Sequence, residues 1–207
     1  MVIASHAIFA TYGFWLPNEQ RGSWSTEVWA PNLIEFGPAT KTEERRSLAR
    51  RPFDRAKRAA AREALKYPAV EFTGLQARAV ARGFAQIIER LGLIVYACAI
   101  MRDHVHIVPE RHDLPIEDVV GHLKRAATRE LTHEGLHPLA EHRNTRGRVP
   151  SPWVEHGWYR FLDNPVEVSG AIDYANDNPV KQGMKKQQWS FVQEYGLYVP
   201  TPRGRGG

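Results

Sequence analysis

Residues 93–109, LIVYACAIMRDHVHIVP, hold two short runs of apolar and β-branched residues in close succession. The first run covers 93–100, the second covers 104–109, and three residues separate them. Runs of this length, composition and spacing predict two antiparallel strands joined by a tight connection. Gly92, directly before the first run, is typical of the end of a helix. The stretch therefore predicts a helix end followed by a β-hairpin.

The segments on both sides of this hairpin alternate between helix-like and strand-like patterns. Apolar residues recur at helical spacing between Thr73, a good N-terminal cap, and residue 91. Pro115 opens a second amphipathic stretch that reaches about residue 134. The other predicted elements are strands at 6–12 and 158–162 and a last helix from Asn164-Pro165 to Asn178. This order predicts an α+β fold with a ferredoxin-like antiparallel sheet and helices on one face.

A chain of 207 residues is long enough for one compact domain with its own core. We expect a single domain over 1–190, with an insertion at about 13–72 and a C-terminal tail at 191–207. The insertion is expected because that stretch first mixes Pro, Gly and Trp without a regular period and then becomes rich in Arg and Ala.

The composition, 43% hydrophobic and 25% charged, is that of an ordinary globular protein and argues against disorder or fibrous repeats. Cys98 is the single cysteine, which excludes an intrachain disulfide and a zinc site built from cysteines. No apolar run reaches the roughly 18 residues that a membrane-spanning helix needs. We therefore expect a cytoplasmic protein that does not associate with membranes.

The net charge of +5 is unevenly distributed. Residues 41–66 hold ten Lys or Arg against four acids, and residues 179–207 hold five against one, so the rest of the chain is acidic. Concentrated positive charge suits a polyanionic partner, because each phosphate contact releases counterions. For 41–66 alone, a solvated helix face explains the charge equally well.

His104 and His106 stand two residues apart in the second strand of the hairpin. Because side chains alternate along a strand, both imidazoles lie on one face of the sheet while Val105 and Ile107 point to the other. Two imidazoles on one face provide half of a site for a divalent metal ion. Two surface or hydrogen-bonded histidines would produce the same pattern.

Tyr174 and Asn178 stand four residues apart in the last predicted helix and share one of its faces if the helix persists to Asn178. That face would then present a phenol and an amide that can bind a metal. Alternatively, Tyr174 is a core residue of an amphipathic helix, and Asn178 only ends that helix before Pro179. Lys181 and Lys185, just beyond, are either solvated charges or phosphate contacts.

Three segments, taken in order, carry a resemblance to a known family. They read VYACAIMRDHVHIVPE, VVGHLKRAATRELTHEG and WYRFLDNPVEVSGAIDYANDNPVKQG, and the resemblance spans about residues 93–186. They resemble the single-tyrosine HUH transposases, in particular the REP-associated tyrosine transposase branch. One signature of that branch is two histidines around a bulky hydrophobic residue, and the other is a tyrosine followed, after three residues, by Asn-Pro-Val-Lys. The matching positions are His104-Val105-His106, Trp158-Tyr159-Arg160-Phe161, Tyr174 and Asn178-Pro179-Val180-Lys181.

The resemblance implies an endonuclease and strand transferase that acts on single-stranded or hairpin DNA. Tyr174 would attack the scissile phosphate and give a 5′-phosphotyrosine intermediate with a free 3′-hydroxyl. His104, His106 and, by position, Asn178 would hold a divalent ion, Mg²⁺ or Mn²⁺, that polarises the phosphate. The resemblance also implies a homodimer, in which the tyrosine of one subunit can lie near the histidines of the other.

Basic residues near the two signatures are expected to contact the DNA backbone. Lys124 and Arg125 lie on the predicted helix after the histidine strand. Arg160 lies before the tyrosine helix, and Lys181 closes the second signature. The segment at about 13–72 has no counterpart in the family motifs, and its basic part is a candidate further contact with DNA.

Two other functions are compatible with parts of the pattern. A domesticated protein could bind hairpin DNA without moving it, although the intact His104, His106 and Tyr174 favour retained cleavage. A cupin-like metal enzyme could use the two histidines with Glu110, but cupins are almost entirely β, and at least three helices are predicted here.

Overall fold

The computed structural model describes residues 1–17, 31–37 and 54–199. Part of the predicted insertion and of the basic stretch at 41–66 lies outside the described residues, as do the last eight positions of the predicted tail. The described elements are β1 (Ala4–Thr11), a 3₁₀ helix (Pro31–Phe36), α1 (Arg55–Glu63), α2 (Gly74–Leu91), β2 (Val95–Ile100), β3 (His104–Pro109), α3 (Ile116–His133), β4 (Trp153–Leu162) and α4 (Pro165–Lys181).

The four strands form one sheet in the order β2-β3-β1-β4. Strands β2 and β3 pair antiparallel, with Ile100 opposite Val105 and Cys98 opposite Ile107, which confirms the predicted hairpin. The chain visits the strands as β1-α2-β2-β3-α3-β4, and the first strand lies between the third and the fourth. This is the ferredoxin-like arrangement, so the predicted α+β fold with an antiparallel sheet is confirmed.

The helices occupy both faces of the sheet rather than one. The ring of Phe9 in β1 lies 6.1 Å from the ring of Phe84 in α2, and α3 packs against α2 on that side. Ala4 of β1 has the opposite parity to Phe9 and belongs to a core cluster with residues of α4. The prediction of helices on one face therefore holds for α2 and α3, whereas α4 covers the other face because its apolar side packs on β2 and β3.

Local signals explain where the helices begin and end. Thr73 and Gln76 form a reciprocal capping box at the start of α2, and Gly92 ends that helix in a left-handed conformation, with φ of 65°. Helix α4 continues three residues beyond its predicted end at Asn178. It passes through Pro179 because the backbone N–H of Gln182 still donates to the carbonyls of Asn178 and Pro179.

The chain divides into two compact units. The first unit comprises residues 1–9, 72–137 and 155–207, and the second comprises 10–71 and 138–154. In the second unit a small core joins Leu16, Leu33 and Ala61. The predicted insertion thus shares a compact unit with the segment after α3. None of the helices in the described ranges is long and apolar enough to cross a membrane.

Residues 187–199 run along the first unit instead of forming a separate tail. The side-chain amide of Gln187 pairs with Ile100 in both directions, at 2.8 Å and 2.7 Å, and Val192 bridges to Val95. These bonds cover backbone groups of the edge strand β2, which would otherwise be open to pairing with another chain. Part of the predicted tail at 191–207 therefore belongs to the folded body.

Gly83 allows the close approach of α2 to α3. A Cβ atom at this position would lie 2.7 Å from the carbonyl oxygen of Ala126 and 2.8 Å from the Cα of Ala127. We predict that Gly83→Ala lowers the free energy of unfolding by about 1–2 kcal/mol, because the backbone clash outweighs the gain in helix propensity.

Gly74→Ala is the matched control, since a Cβ there meets nothing within 4 Å. Denaturant unfolding of both variants measures the difference. Equal or higher stability of Gly83→Ala would show that the two helices do not require a glycine at their contact.

Candidate active site

Aromatic and imidazole rings from three neighbouring strands gather on the face of the sheet that α4 covers. His104 and His106 lie on β3 with ring centroids 4.8 Å apart, as strand alternation predicts. His6 on β1 stacks on His106 at 5.4 Å, and Trp158 on β4 meets His6 edge-on at 5.7 Å. The predicted histidine pair is therefore the centre of a larger ring cluster.

His6 was missed by the sequence analysis. Its segment was interpreted only as an apolar strand, and nothing local distinguishes His6 from a core residue. The signal that could have found it is register: once β1 is paired beside β3, residues of the same parity share a face.

His6 and His106 are hydrogen-bonded to each other. Nε2 of His6 lies 3.2 Å from Nδ1 of His106, and both side chains are buried. Burial lowers the pKa of His6 to about 4, with a further contribution from the positive charge of Arg160. Burial, followed by the neighbouring His104 and His6, holds the pKa of His106 well below its ordinary value. Both rings are therefore neutral near pH 7, so one donates the hydrogen bond and the other accepts it.

His104 is oriented by an adjacent carboxylate. Nδ1 of His104 lies 2.6 Å from Oδ1 of Asp103. A carboxylate can only accept, so Nδ1 of His104 donates this hydrogen bond, and the neutral form of a ring held this way carries its lone pair on Nε2. This pairing is typical of histidines that bind metal ions through Nε2.

Tyr174 reaches the ring cluster from α4. Its ring centroid lies 5.4 Å from that of His106 and 5.8 Å from that of His6. The side chain remains 48% exposed, and the ammonium of Lys181 lies 5.3 Å from its ring centroid. The predicted tyrosine, histidines and Lys181 are thus brought together within one chain.

Asn178 lies one turn beyond Tyr174 and is buried. Its side-chain N–H donates to the backbone carbonyl of Tyr174 at 2.8 Å. Imidazole nitrogens and an amide oxygen are donors that suit a divalent ion. Within the described residues no three His, Cys, Asp or Glu side chains are grouped to hold a metal. Besides two imidazoles, the ligands of an ion here would be an amide such as that of Asn178, water or substrate oxygens.

Arg160 lies on β4 with the same parity as Trp158, so it faces the cluster side of the sheet. Its guanidinium pairs with Glu167 at 3.0 Å and is partly exposed. The electrostatic effect of Arg160 on His6 places its charge near the imidazoles. Arg160 can therefore meet a phosphate at the rim of the site while Glu167 orients it.

Lys124 and Arg125 do not lie beside the site, which corrects the prediction for this pair. Their helix α3 packs on the opposite face, where the Lys124 ammonium lies 5.5 Å from the ring centroid of Phe9. The ammonium is buried and donates to the carbonyls of Glu155 and His156 at 3.0 Å and 3.4 Å. Lys124 therefore ties α3 to β4. Arg125 is exposed, but the sheet separates it from the histidines. Lys124 and Arg125 were expected beside the site because their helix follows the histidine strand in the sequence. Closeness in sequence does not determine which face of the sheet a helix covers.

No family model matches this chain, and no curated protein matches it in sequence. Among solved structures, it is similar to one described as a REP-associated tyrosine transposase bound to a REP hairpin. The identity is 12% and the TM-score 0.47, over 91% of this chain and 74% of that one. It is also similar to a candidate transposase from Deinococcus radiodurans R1, with 12% identity, a TM-score of 0.39, and 90% and 94% of the two chains covered.

The buried ammonium of Lys124 makes stability depend on pH. Burial lowers its pKa to about 8 from an ordinary value of 10.5. Below pH 8 the group is charged in both states, and the cost of burying the charge is present in full. Between about pH 8 and 10.5 the unfolded chain binds more protons than the folded one, so this group's contribution to stability rises with pH.

We predict that the free energy of unfolding of the wild type, relative to Lys124→Met, increases by up to about 3 kcal/mol over that range. Arg125→Met is the control, because an arginine on the same helix does not titrate there. Urea titrations at pH 7.5, 9 and 10 measure the difference. If the difference in free energy of unfolding between the wild type and Lys124→Met does not change with pH, the ammonium is solvated.

Proposed function

We propose that this protein is a metal-dependent enzyme that nicks and joins single-stranded or hairpin DNA, acting through a 5′-phosphotyrosine intermediate as a transposase does. The observation that carries the proposal is the exposed phenol of Tyr174 set against the buried imidazole of His106, at 5.4 Å between ring centroids. Such a reaction needs an exposed nucleophile next to side chains that can bind a metal ion, and the buried imidazoles are side chains of that kind. The two motif signatures in the chain support the same assignment.

The reaction assigned to Tyr174 is a transfer of the phosphoryl group from DNA to protein. The phenol oxygen attacks the scissile phosphorus, the bond from phosphorus to the 3′-oxygen breaks, and an O–P bond to tyrosine forms on the 5′ side. The phenol proton leaves to solvent or to a neighbouring base, and the departing 3′-oxygen takes up a proton to become a hydroxyl. Because one ester bond replaces another, a 3′-hydroxyl can later reverse or redirect the joining.

The charges around Tyr174 suit the negative charge that this reaction handles. The Lys181 ammonium beside the ring stabilises negative charge that develops on the phenol oxygen. Arg160 at the rim can neutralise a neighbouring phosphate. A divalent ion, Mg²⁺ or Mn²⁺, would be held by His104, His106 and Asn178, and it would polarise a non-bridging phosphate oxygen. The proposed assembly in solution is a homodimer, in which each chain carries its own site.

We assign His6 as a positioning residue for His106. If His106 binds an ion through Nε2, its Nδ1 carries the proton and donates to Nε2 of His6 across the 3.2 Å contact. The hydrogen bond then holds the ring in one tautomer and one orientation, as second partners of metal-binding histidines do.

For Tyr174→Phe we predict normal folding and DNA affinity, a loss of nicking by at least about three orders of magnitude, and no protein–DNA adduct, because the substitution removes one oxygen and almost no volume. Tyr198→Phe is the matched control, since Tyr198 is exposed to a similar degree, 45%. Labelled oligonucleotides on denaturing gels, with Mg²⁺ or Mn²⁺, give both readouts. Adduct formation by Tyr174→Phe would assign the nucleophile to another residue.

For His6→Leu we predict a loss of Mn²⁺ affinity of about 10- to 100-fold, because the proton on His106 is no longer fixed by an acceptor. His6→Gln offers a side-chain carbonyl at a similar reach and should restore most of the affinity. His133→Leu, an exposed histidine on α3, is the control. Electron paramagnetic resonance titration with Mn²⁺ measures binding without any need for cleavage. Equal Mn²⁺ affinity of His6→Leu and wild type would contradict the positioning role.

A further inference from the structure

The second unit contains a basic turn that the proposed active site does not use. Within the sequence HRNTRGR, the three arginines Arg143, Arg146 and Arg148 fall in six positions and are all exposed. The turn belongs to the segment 138–154, which shares its compact unit with residues 10–71. We call residues 143–148 the arginine turn.

The arginine turn is held in one conformation by its own hydrogen bonds. Oδ1 of Asn144 accepts from the backbone N–H groups of Arg146 and Arg148, both at 2.9 Å. The backbone of Asn144 also pairs with Arg148 and Gly147, at 3.0 Å and 2.8 Å. Gly147 has φ of 73°, a conformation that glycine adopts without strain. The spacing of the arginine stems is therefore set before any ligand arrives, which reduces the entropy lost on binding.

No acidic side chain of the described ranges forms an ion pair with Arg143, Arg146 or Arg148. The guanidinium of Arg143 donates to the backbone carbonyl of Gly147 at 3.2 Å, which leaves its charge uncompensated. Three guanidiniums without an ion-pair partner in the described ranges create a local positive potential on this turn. Guanidinium groups bind phosphate oxygens in a forked geometry, so a phosphate backbone is the ligand that fits this arrangement.

Aromatic rings lie directly beside the arginine turn. The ring of His142, the residue before it, lies 5.6 Å from the ring of Tyr67, and the ammonium of Lys66 lies 5.3 Å from the Tyr67 ring centroid. His142 is exposed and Tyr67 is half-buried. Aromatic faces next to cationic groups are the usual platform for unpaired bases, which stack on the rings while the phosphates meet the charges.

We propose that the arginine turn, with Lys66, Tyr67 and His142, is a second contact surface for single-stranded DNA. The aromatic rings favour single-stranded over duplex DNA, because only unpaired bases expose their faces for stacking. The proposal rests on the proposed function for the identity of the partner. It adds a surface on a different unit of the chain and gives a role to part of the predicted insertion.

The test is fluorescence anisotropy with a labelled 20-nucleotide oligothymidylate in a Tyr174→Phe background, so that cleavage does not interfere. The triple variant Arg143→Gln, Arg146→Gln, Arg148→Gln should bind at least ten-fold more weakly. Its slope of log affinity against log salt should fall by about two, since each phosphate contact on a single strand contributes about 0.7. A variant with Arg78, Arg90 and Arg129 changed to Gln removes the same charge from exposed sites of the first unit and should lose much less.

Asn144→Ala separates the effect of turn geometry from that of charge, because it removes the two hydrogen bonds that Oδ1 of Asn144 accepts and leaves the net charge unchanged. We expect a loss of affinity between those of the control and the triple variant. Binding by the triple variant equal to that of the control variant would overturn the proposal, and unchanged binding by Asn144→Ala would overturn its dependence on the braced turn. Wild-type nicking, measured separately, tests the proposed function. If the wild type nicks DNA and the arginine substitutions do not weaken DNA binding, only this inference is contradicted.

Discussion

Strand β3 has to satisfy two different environments at once, and the arrangement of the site follows from that constraint. Val105 and Ile107 are fully buried on the face that α2 and α3 cover. Because side chains alternate, His104 and His106 must then lie on the other face. A shift of one residue in register would place two imidazoles in the apolar core and two aliphatic chains in the site. The same packing that stabilises the sheet therefore fixes which groups face α4.

Helix α4 links this face to an exposed nucleophile. Its apolar side, including Val168, Ala171 and Ala175, packs on the sheet next to the histidines. Tyr174 is adjacent to Ala175 in sequence but turns toward solvent at the edge of that contact, so its ring touches His106 while half of it remains accessible. The apolar packing also keeps water from the imidazoles, which is why burial is the largest cause of the lowered pKa of His6 and His106. Neutral imidazoles are the form that binds metal ions.

The sequence was informative where the chemistry is local. The hairpin and the cap at Thr73 depend on neighbours within a few residues, and the structure confirms both. The expected placement of Lys124 beside the site was wrong, because it depends on which face of the sheet α3 covers, and the local pattern of residues does not contain that information. The sequence patterns did not identify His6 as a site residue, because its hydrogen-bond partner His106 is 100 positions away in the chain. Long-range register and the sidedness of helices were the information that the sequence patterns lacked.

The most direct measurement is to locate the covalent bond between protein and DNA. Wild-type protein would be incubated with a single-stranded oligonucleotide and Mn²⁺, denatured, digested with nuclease and protease, and analysed by mass spectrometry. We expect a nucleotide attached through its 5′-phosphate to Tyr174, in the peptide that also contains Asn178. Cleaved DNA without any nucleotide-bearing peptide, or a nucleotide on a tyrosine remote from His104 and His106, would contradict this expectation.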